Sequence, residues 1–209
     1  ATQLPALASA QLRGLTGAQL ASLSTTSLNT LTSNQFAVLT STQIAGLGSN
    51  QVANLEAADL GAFSSAQIRA LSTADIKAMD GAHIGLLSSA QLAALTADQL
   101  RAIDVADIPS LATASMVGLS SAQIGALSSD QLNALISSQL PALASAQLRG
   151  LTAPQVGALL TSSFNTLSSD QLLSLTSTQI AALTSLQIAG ISTATLNALS
   201  DSQIKALST

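Results

Sequence analysis

Six residues of the sequence have side chains suited to chemistry and stand near one another. His83 is the single histidine, and Asp59, Asp75, Asp80, Asp104 and Asp107 surround it. A histidine beside carboxylates suits a general base or a cation ligand. Asp75, Asp80 and His83 fall in adjacent eight-residue units, so a chain that coils tightly can bring them together. The pattern nevertheless lacks what such sites need. There is no cysteine and no second histidine to share a metal. No D-x-D-x-D-G loop and no G-G-x-G-x-D run is present. The many serines sit in no G-x-S-x-G elbow, and no G-x-x-x-x-G-K loop cradles a phosphate. The expectation is therefore that there are no catalytic, cofactor-binding or metal-binding residues, and that the chain is not an enzyme.

The simpler account of these residues is a repeat, in which each occupies a slot usually filled by another type. Stepping by eight from Leu7 through Leu15, Leu23 and Leu31 to Leu207 meets a large apolar residue every time. We call this position 1. Stepping by eight from Leu4 through Leu12, Leu20 and Leu28 to Ile204 does the same, and this is position 6. Both series have 26 members without insertion or deletion. The unit reads L-[ST]-[ST]-x-Q-[LI]-x-A. Phe36, Phe63, Phe164, Met79 and Met116 all fall in these two series and are expected in a core.

Position 2 is Ser or Thr in 17 of 26 units, and position 5 is Gln in 18. Ser or Thr followed three residues later by Gln is a capping box, which satisfies two orphan amides at a helix start. Positions 1 and 6 then flank the box as a hydrophobic staple. His83, Asp59, Asp75 and Asp107 lie at position 5, and Asp80 and Asp104 at position 2, so all are expected to be cap substitutes. All ten acids lie at positions 2 to 5, and all six bases, Arg13, Arg69, Lys77, Arg101, Arg149 and Lys205, lie at position 7. That polarity suits a helix dipole restated in every unit, with the bases as solvated helix ends. Nine of twelve glycines lie at positions 7 and 8, where each short helix must end. The otherwise small residues at position 8 predict close approach between neighbouring coils.

These signals predict an all-α solenoid of one- to two-turn helices, one per octad, covering 1–209 as a single domain. A continuous helix fails because eight residues are not a whole number of 3.6-residue turns. Isolated turns are unstable, so stability must come from stacking around a shared core. Pro5, Pro109 and Pro141 at position 7 cannot donate a helical hydrogen bond, so their helices must be very short, frayed or 3₁₀. Pro154 at position 4 is in the first turn and is tolerated. A β-solenoid is the alternative, but Leu and Ala outnumber Val, and apolar spacings of five and three do not alternate.

Composition bounds the partners. Charged residues make up 8%, against about 25% in an average domain, and the net charge of −4 is spread thinly. This excludes the electrostatic footprint of a nucleic-acid or anionic-membrane binder. Ser, Thr, Gln or Asn interrupts every octad, so no transmembrane helix is expected.

A longer repeat lies over the octads. LPALASAQLRGLT occurs at 4–16 and again, seventeen octads later, at 140–152, and TTSLNTLTSNQ from Thr25 matches TSSFNTLSSDQ from Thr161. The first and last octads look ordinary, where the ends of a complete solenoid are atypical and polar. A segment of a longer array is therefore expected.

Runs such as LTSTQIAALTSLQIAGI from Leu175 and LSSAQIGALSSDQLNAL from Leu119 resemble the octapeptide LTTxQIxAL arrays of very large bacterial surface and secreted, adhesin-like proteins. The resemblance spans the whole chain and implies an extracellular or cell-surface, array-forming segment without catalytic residues. The expected function is a structural scaffold, filament or stalk segment that self-associates with further repeats or copies. The alternative is a repetitive surface that adheres to glycan, mineral or ice.

Overall fold

A computed structural model describes residues 3–207. Among them are 23 α-helices, two 3₁₀ helices and no strand, so the fold is the helical solenoid and not the β-solenoid. The shortest α-helices have four residues, as in Thr25–Leu28, and the longest, Asp201–Leu207, has seven.

Each helix starts where its local sequence says. Thr16, at position 2, is extended with φ −81° and ψ 157°. Its hydroxyl accepts the Gln19 N–H, and Gln19 Oε1 accepts the Thr16 N–H at 2.7 Å. The same reciprocal pair recurs at Thr40, Ser64, Ser88, Thr96, Ser120 and Thr176. Two of the four orphan donors of each of these helices are thus satisfied within its own octad.

Each helix ends tightly. The position-1 amide bonds back three residues, as Leu71 N–H does to the Ile68 carbonyl at 3.2 Å, and Leu71 itself is extended. That extended residue is the corner before the next cap. No described residue has a positive φ, so glycine does not end these helices in the left-handed conformation common elsewhere. Its use at positions 7 and 8 is room. A Cβ on Gly46 would lie 2.7 Å from Gly17 Cα in the preceding coil, and one on Gly150 would collide with the Ser121 carbonyl. The expected close approach at position 8 is therefore present.

Three octads complete one turn of the solenoid. Ser49–Ala53 packs on Thr73–Ala78, Gly81–Gly85 on Val105–Ser110, and Ser177–Ala181 on Asp201–Leu207, each pair being three octads apart. Every coil is thus a triangle with one octad to a side, and each octad lies directly over another in the next coil. Positions 1 and 6 point into the triangle. Every position-1 side chain from Leu31 to Leu199 and every position-6 side chain from Leu12 to Ile180 is buried. All of these but Leu199 form one continuous core, in which Phe36 and Phe63 meet with ring centroids 5.9 Å apart. Burying each large aliphatic side chain contributes roughly 1.5–3 kcal/mol, so stacking offsets the ordering cost that a lone octad cannot.

The position-7 prolines act as expected. Leu4–Ala6 with Pro5 and Val105–Ser110 with Pro109 are 3₁₀ helices, and the octad containing Pro141 forms only turns. Pro154 is accommodated in the first turn of Ala153–Ala158.

Candidate functional site

The feature repeated through the whole structure is a ladder of side chains at position 5, built outward from the capping box. Gln43 Oε1 accepts the Thr40 N–H at 2.8 Å. Its Nε2 points the other way, into the preceding coil, and donates to the carbonyls of Leu12 and Leu15, each at 2.7 Å. One amide therefore caps the start of its own helix and closes the end of a helix in the coil beneath. Gln67 does the same onto Phe36 and Leu39, Gln131 onto Leu100 and Ile103, Gln147 onto Met116 and Leu119, and Gln187 onto Val156 and Leu159. These glutamines are almost completely buried. In that setting an unmet carbonyl costs about 1–3 kcal/mol, so each rung both holds the coils and removes a penalty.

The three octads of each coil give three columns of rungs. Asp59, His83 and Asp107 stand three octads apart and are successive rungs of one column. His83 copies the glutamine it replaces: Nε2 lies 2.9 Å from the Leu55 carbonyl, and Nδ1 lies 3.3 Å from the Asp80 amide. The same Nδ1 is 2.7 Å from Asp80 Oδ1, so a protonated ring also has a partner on each nitrogen. The hydrogen bond from the His83 amide, assisted by the ring, holds the Asp80 carboxyl below its ordinary value.

Asp75 does not join this pair. It belongs to another column, where Oδ2 takes the Ser72 N–H and hydroxyl and Oδ1 accepts from Ser49 Oγ at 2.9 Å. Asp59 takes the Ser33 hydroxyl in the same way, and Thr195 pairs with Ser169. A short acceptor at position 5 is thus met by a position-3 hydroxyl from the preceding coil, where the longer Gln reaches a backbone carbonyl. Asp107 has Gly81 at that place and no hydroxyl to meet it. Burial first, then the neighbouring Asp104 and Asp80 carboxylates, push its carboxyl upward. The aspartates expected as cap substitutes at position 2 do cap: Asp80 accepts from Ala82 and His83, and Asp104 from Ala106.

The four arginines among the position-7 bases are not merely solvated. Arg13, Arg101 and Arg149 donate through Nε to the carbonyls of Val38, Ala126 and Ser174, and Arg69 donates through Nη1 to Ala94. Asn29 and Asn133 do the same to Asn54 and Ala158. Each bond reaches forward by one coil, to the end of the helix lying over the donor. A helix end exposes carbonyls and negative potential, and a long cation in the preceding coil answers both. Between glutamines from one side and position-7 donors from the other, coil-to-coil polar contact is made by side chains.

Among the described residues no group of three or more His, Asp or Glu is arranged to hold a metal ion. Serines such as Ser64 and Ser88 act as caps, and Ser33, Ser49 and Ser169 in rungs. No helix is long and apolar enough to cross a membrane. Where Thr195 replaces Gln, a crevice of about 170 Å³ opens between coils, lined by Phe164, Asn165, Leu167, Ser169, Gly190 and Thr195.

A capping box alone does not reveal the downward-reaching Nε2. Such a box accepts Glu or Gln, yet no Glu stands at position 5 in any of 26 units. Only Gln carries a donor as well as an acceptor, and that exclusion is the readable trace of the second bond.

The chain is similar to a known tandem repeat. The family described as ALTTAQ repeat matches residues 52–88 and again 100–137. No curated protein matches the chain.

Proposed function

We propose that the chain is a structural spacer: a rod segment of a bacterial surface or extracellular protein, with no catalytic role. The observation that carries this reading is the use made of its polar side chains. Most position-5 glutamines, together with Asp75, His83, Arg101 and Asn133, are committed to joining one coil to the next, and polar side chains spent on such contacts are not grouped into the locally distinct constellation that catalysis needs. The block duplication adds support. Seventeen octads are five full coils and two octads more, so the repeated block lies two-thirds of a turn around the rod from its first copy. A block moved to another face keeps its contribution to length and loses any face-specific role. The surface and extracellular setting rests on the resemblance to bacterial arrays and fits a chain without cysteine.

Small-angle scattering tests the rod. Stacked helices lie about 8–10 Å apart, so 26 octads at three per coil span about 70–85 Å. The radius of gyration should lie well above the roughly 17 Å of a globular domain of this length. A value near the globular figure overturns the reading.

A second reading is favoured by one feature. Ser41, Ser65, Ser89, Thr113, Ser137, Thr161 and Ser185 stand at intervals of three octads as a file of hydroxyl residues, of which Ser137 and Ser185 are exposed and the others half-buried. Such a file suits adhesion to a repetitive surface such as glycan, mineral or ice. Ice-recrystallisation and glycan-array assays test it, and silence in both removes it.

A further inference from the structure

The three octads of each coil give the rod three long sides, and one side differs from the other two. It consists of octads 15–22, 39–46 and every third octad after them to 183–190, eight in all among the described residues. All ten acidic residues of the sequence lie on the other sides, and Arg69 is the one charged residue on this side. Four successive octads of this side, 111–118, 135–142, 159–166 and 183–190, each expose one large aliphatic side chain: Val117, Ile136, Leu160 and Leu186.

Ile136 and Leu160 occupy the same cap position in successive coils, with Ala112 in the coil before them. None of the three has an oxygen with which to cap a helix start. Within the chain this gives up a hydrogen bond and leaves apolar area in water, two costs of the same sign. The duplicated block allows an internal comparison. Residues 140–171 repeat 4–35, and Leu160 takes the place of Ser24, whose hydroxyl accepts the Ser27 N–H at 3.1 Å. Ser24 lies on another side of the rod. The cap is present there and absent where the block meets the uncharged side.

We infer that this side is an interface on which two copies of the chain pair laterally. The inference rests on the reading of the chain as a rod. A second copy fits because it brings a side of the same chemistry: aliphatic side chains and the hydroxyl file that contains Ser137 and Thr161, with no carboxylate to desolvate. Two chains of net charge −4 meet here without acids opposed. The area also suffices. An octad extends about 10 Å along the side and about 8–10 Å along the rod, so eight octads offer roughly 700 Å². A standard interface takes about 800 Å² from each partner. Two copies related by a two-fold axis use the same surface on both, so the assembly closes at a dimer.

The test uses the whole chain and two variants. Ile136→Thr with Leu160→Ser removes the aliphatic pair and supplies two caps, so folding should be strengthened while pairing is lost. Val105→Ser removes an exposed aliphatic from another side. Sedimentation of the unaltered chain at rising concentration should show monomer passing to dimer and stopping there. The double variant should raise the dimer dissociation constant by about tenfold or more, with a higher urea midpoint for the monomer. Val105→Ser should pair as the unaltered chain does. X-ray scattering from the dimer should show the length of one rod and a thicker cross-section. Undiminished pairing in the double variant, equal loss in Val105→Ser, or a dimer of doubled length overturns the inference. So does a chain that stays monomeric while binding an uncharged polysaccharide. An elongated monomer that never pairs refutes the interface and leaves the rod standing, whereas a globular monomer refutes the rod itself.

Discussion

Gln43 Nε2 lies 2.7 Å from the carbonyl oxygen of Leu15, one coil below it in space. The same amide's oxygen caps the helix in which Gln43 sits. This arrangement separates two roles that a single substitution can tell apart. Gln43→Glu keeps the cap and removes the donor, leaving two buried carbonyls facing a carboxylate. It should destabilise the chain by about 2–3 kcal/mol at neutral pH. Gln19→Glu, at an exposed rung with no carbonyl bonded beneath it among the described residues, should change the stability of this chain by less than about 0.5 kcal/mol. Urea unfolding of the two variants measures the difference, and equal losses would refute the cross-coil role.

Asp107 gives the rod a pH dependence of definite sign. Burial and the carboxylates of Asp104 and Asp80 raise its folded value above the unfolded one. Its contribution is therefore fully present below the ordinary carboxylate value and is lost as pH rises through the folded value. Asp107→Asn should abolish this contribution and stabilise the chain at neutral pH. Asp80 works in reverse: its lowered value makes its contribution present above the ordinary carboxylate value and lost on acidification. Asp80→Asn keeps a good cap and should remove only that acid-sensitive part. Thermal unfolding followed across the acidic and neutral range distinguishes the two variants, and parallel profiles would contradict the assignment.

Gly81→Ser should relieve Asp107 directly. Asp59 and Asp75 take a hydroxyl bond from Ser33 and Ser49 at the equivalent place. The new Cβ would lie 2.5 Å from Ser110 Oγ, the end of a side chain free to rotate, and 3.3 Å from Asp107 Oδ1. With a hydroxyl to accept from, the Asp107 carboxyl should fall back toward its ordinary value. Carbon-detected NMR titration of the side chain reads this, and an unmoved midpoint counts against the pairing rule.

The octad is legible in the sequence because everything within an octad is local. Thr16 and Gln19 announce a helix start whatever surrounds them, and the regular return of Leu and Ile announces a core. The number of octads per coil is a different kind of property. It is the sum of rotations at corners such as Leu71, none of which has an unusual residue type or a special φ. The site follows the same division. That Asp80 caps the helix leading to His83 is readable from their spacing alone, whereas the column of Asp59, His83 and Asp107 emerges only once three octads are known to make a turn. The glycines mislead for a related reason. Glycine beside a helix end suggests a left-handed cap, but here the deciding contact lies in the neighbouring coil, as between Gly46 and Gly17.

Thr195→Gln should restore a missing rung. Thr195 bonds to Ser192 and Ser169 but stops short of the carbonyls of Phe164 and Leu167, which lie where Gln187 finds Val156 and Leu159 one octad earlier. The crevice beside it has room for the longer side chain. A gain of about 1 kcal/mol is expected from the new hydrogen bonds. It would appear as a higher urea midpoint, and no gain would mean that the crevice does not admit the amide.

The octad from Leu135 to Ala142 separates the effects of cap and proline. It is the one full octad among the described residues without a helix, and it has two defects: Ile136 cannot cap, and Pro141 cannot donate. Each defect occurs alone elsewhere. Leu160 also fails to cap, yet Thr161–Phe164 is α-helical. Asp104 does cap, and with Pro109 present Val105–Ser110 is a 3₁₀ helix. Neither defect alone therefore removes the helix; together they do. Ile136→Thr should convert this octad to a 3₁₀ turn resembling Val105–Ser110, with a gain of about 1 kcal/mol from the cap. Pro141→Ala should convert it to a short α-helix resembling Thr161–Phe164 by restoring an amide donor. The double variant should gain a full α-helical octad, and its gain should be close to the sum of the two if cap and donor act at opposite ends of the turn. NMR secondary shifts over residues 136–142 report the conformation, and a single variant that already shows a complete capped α-helix there would break the rule.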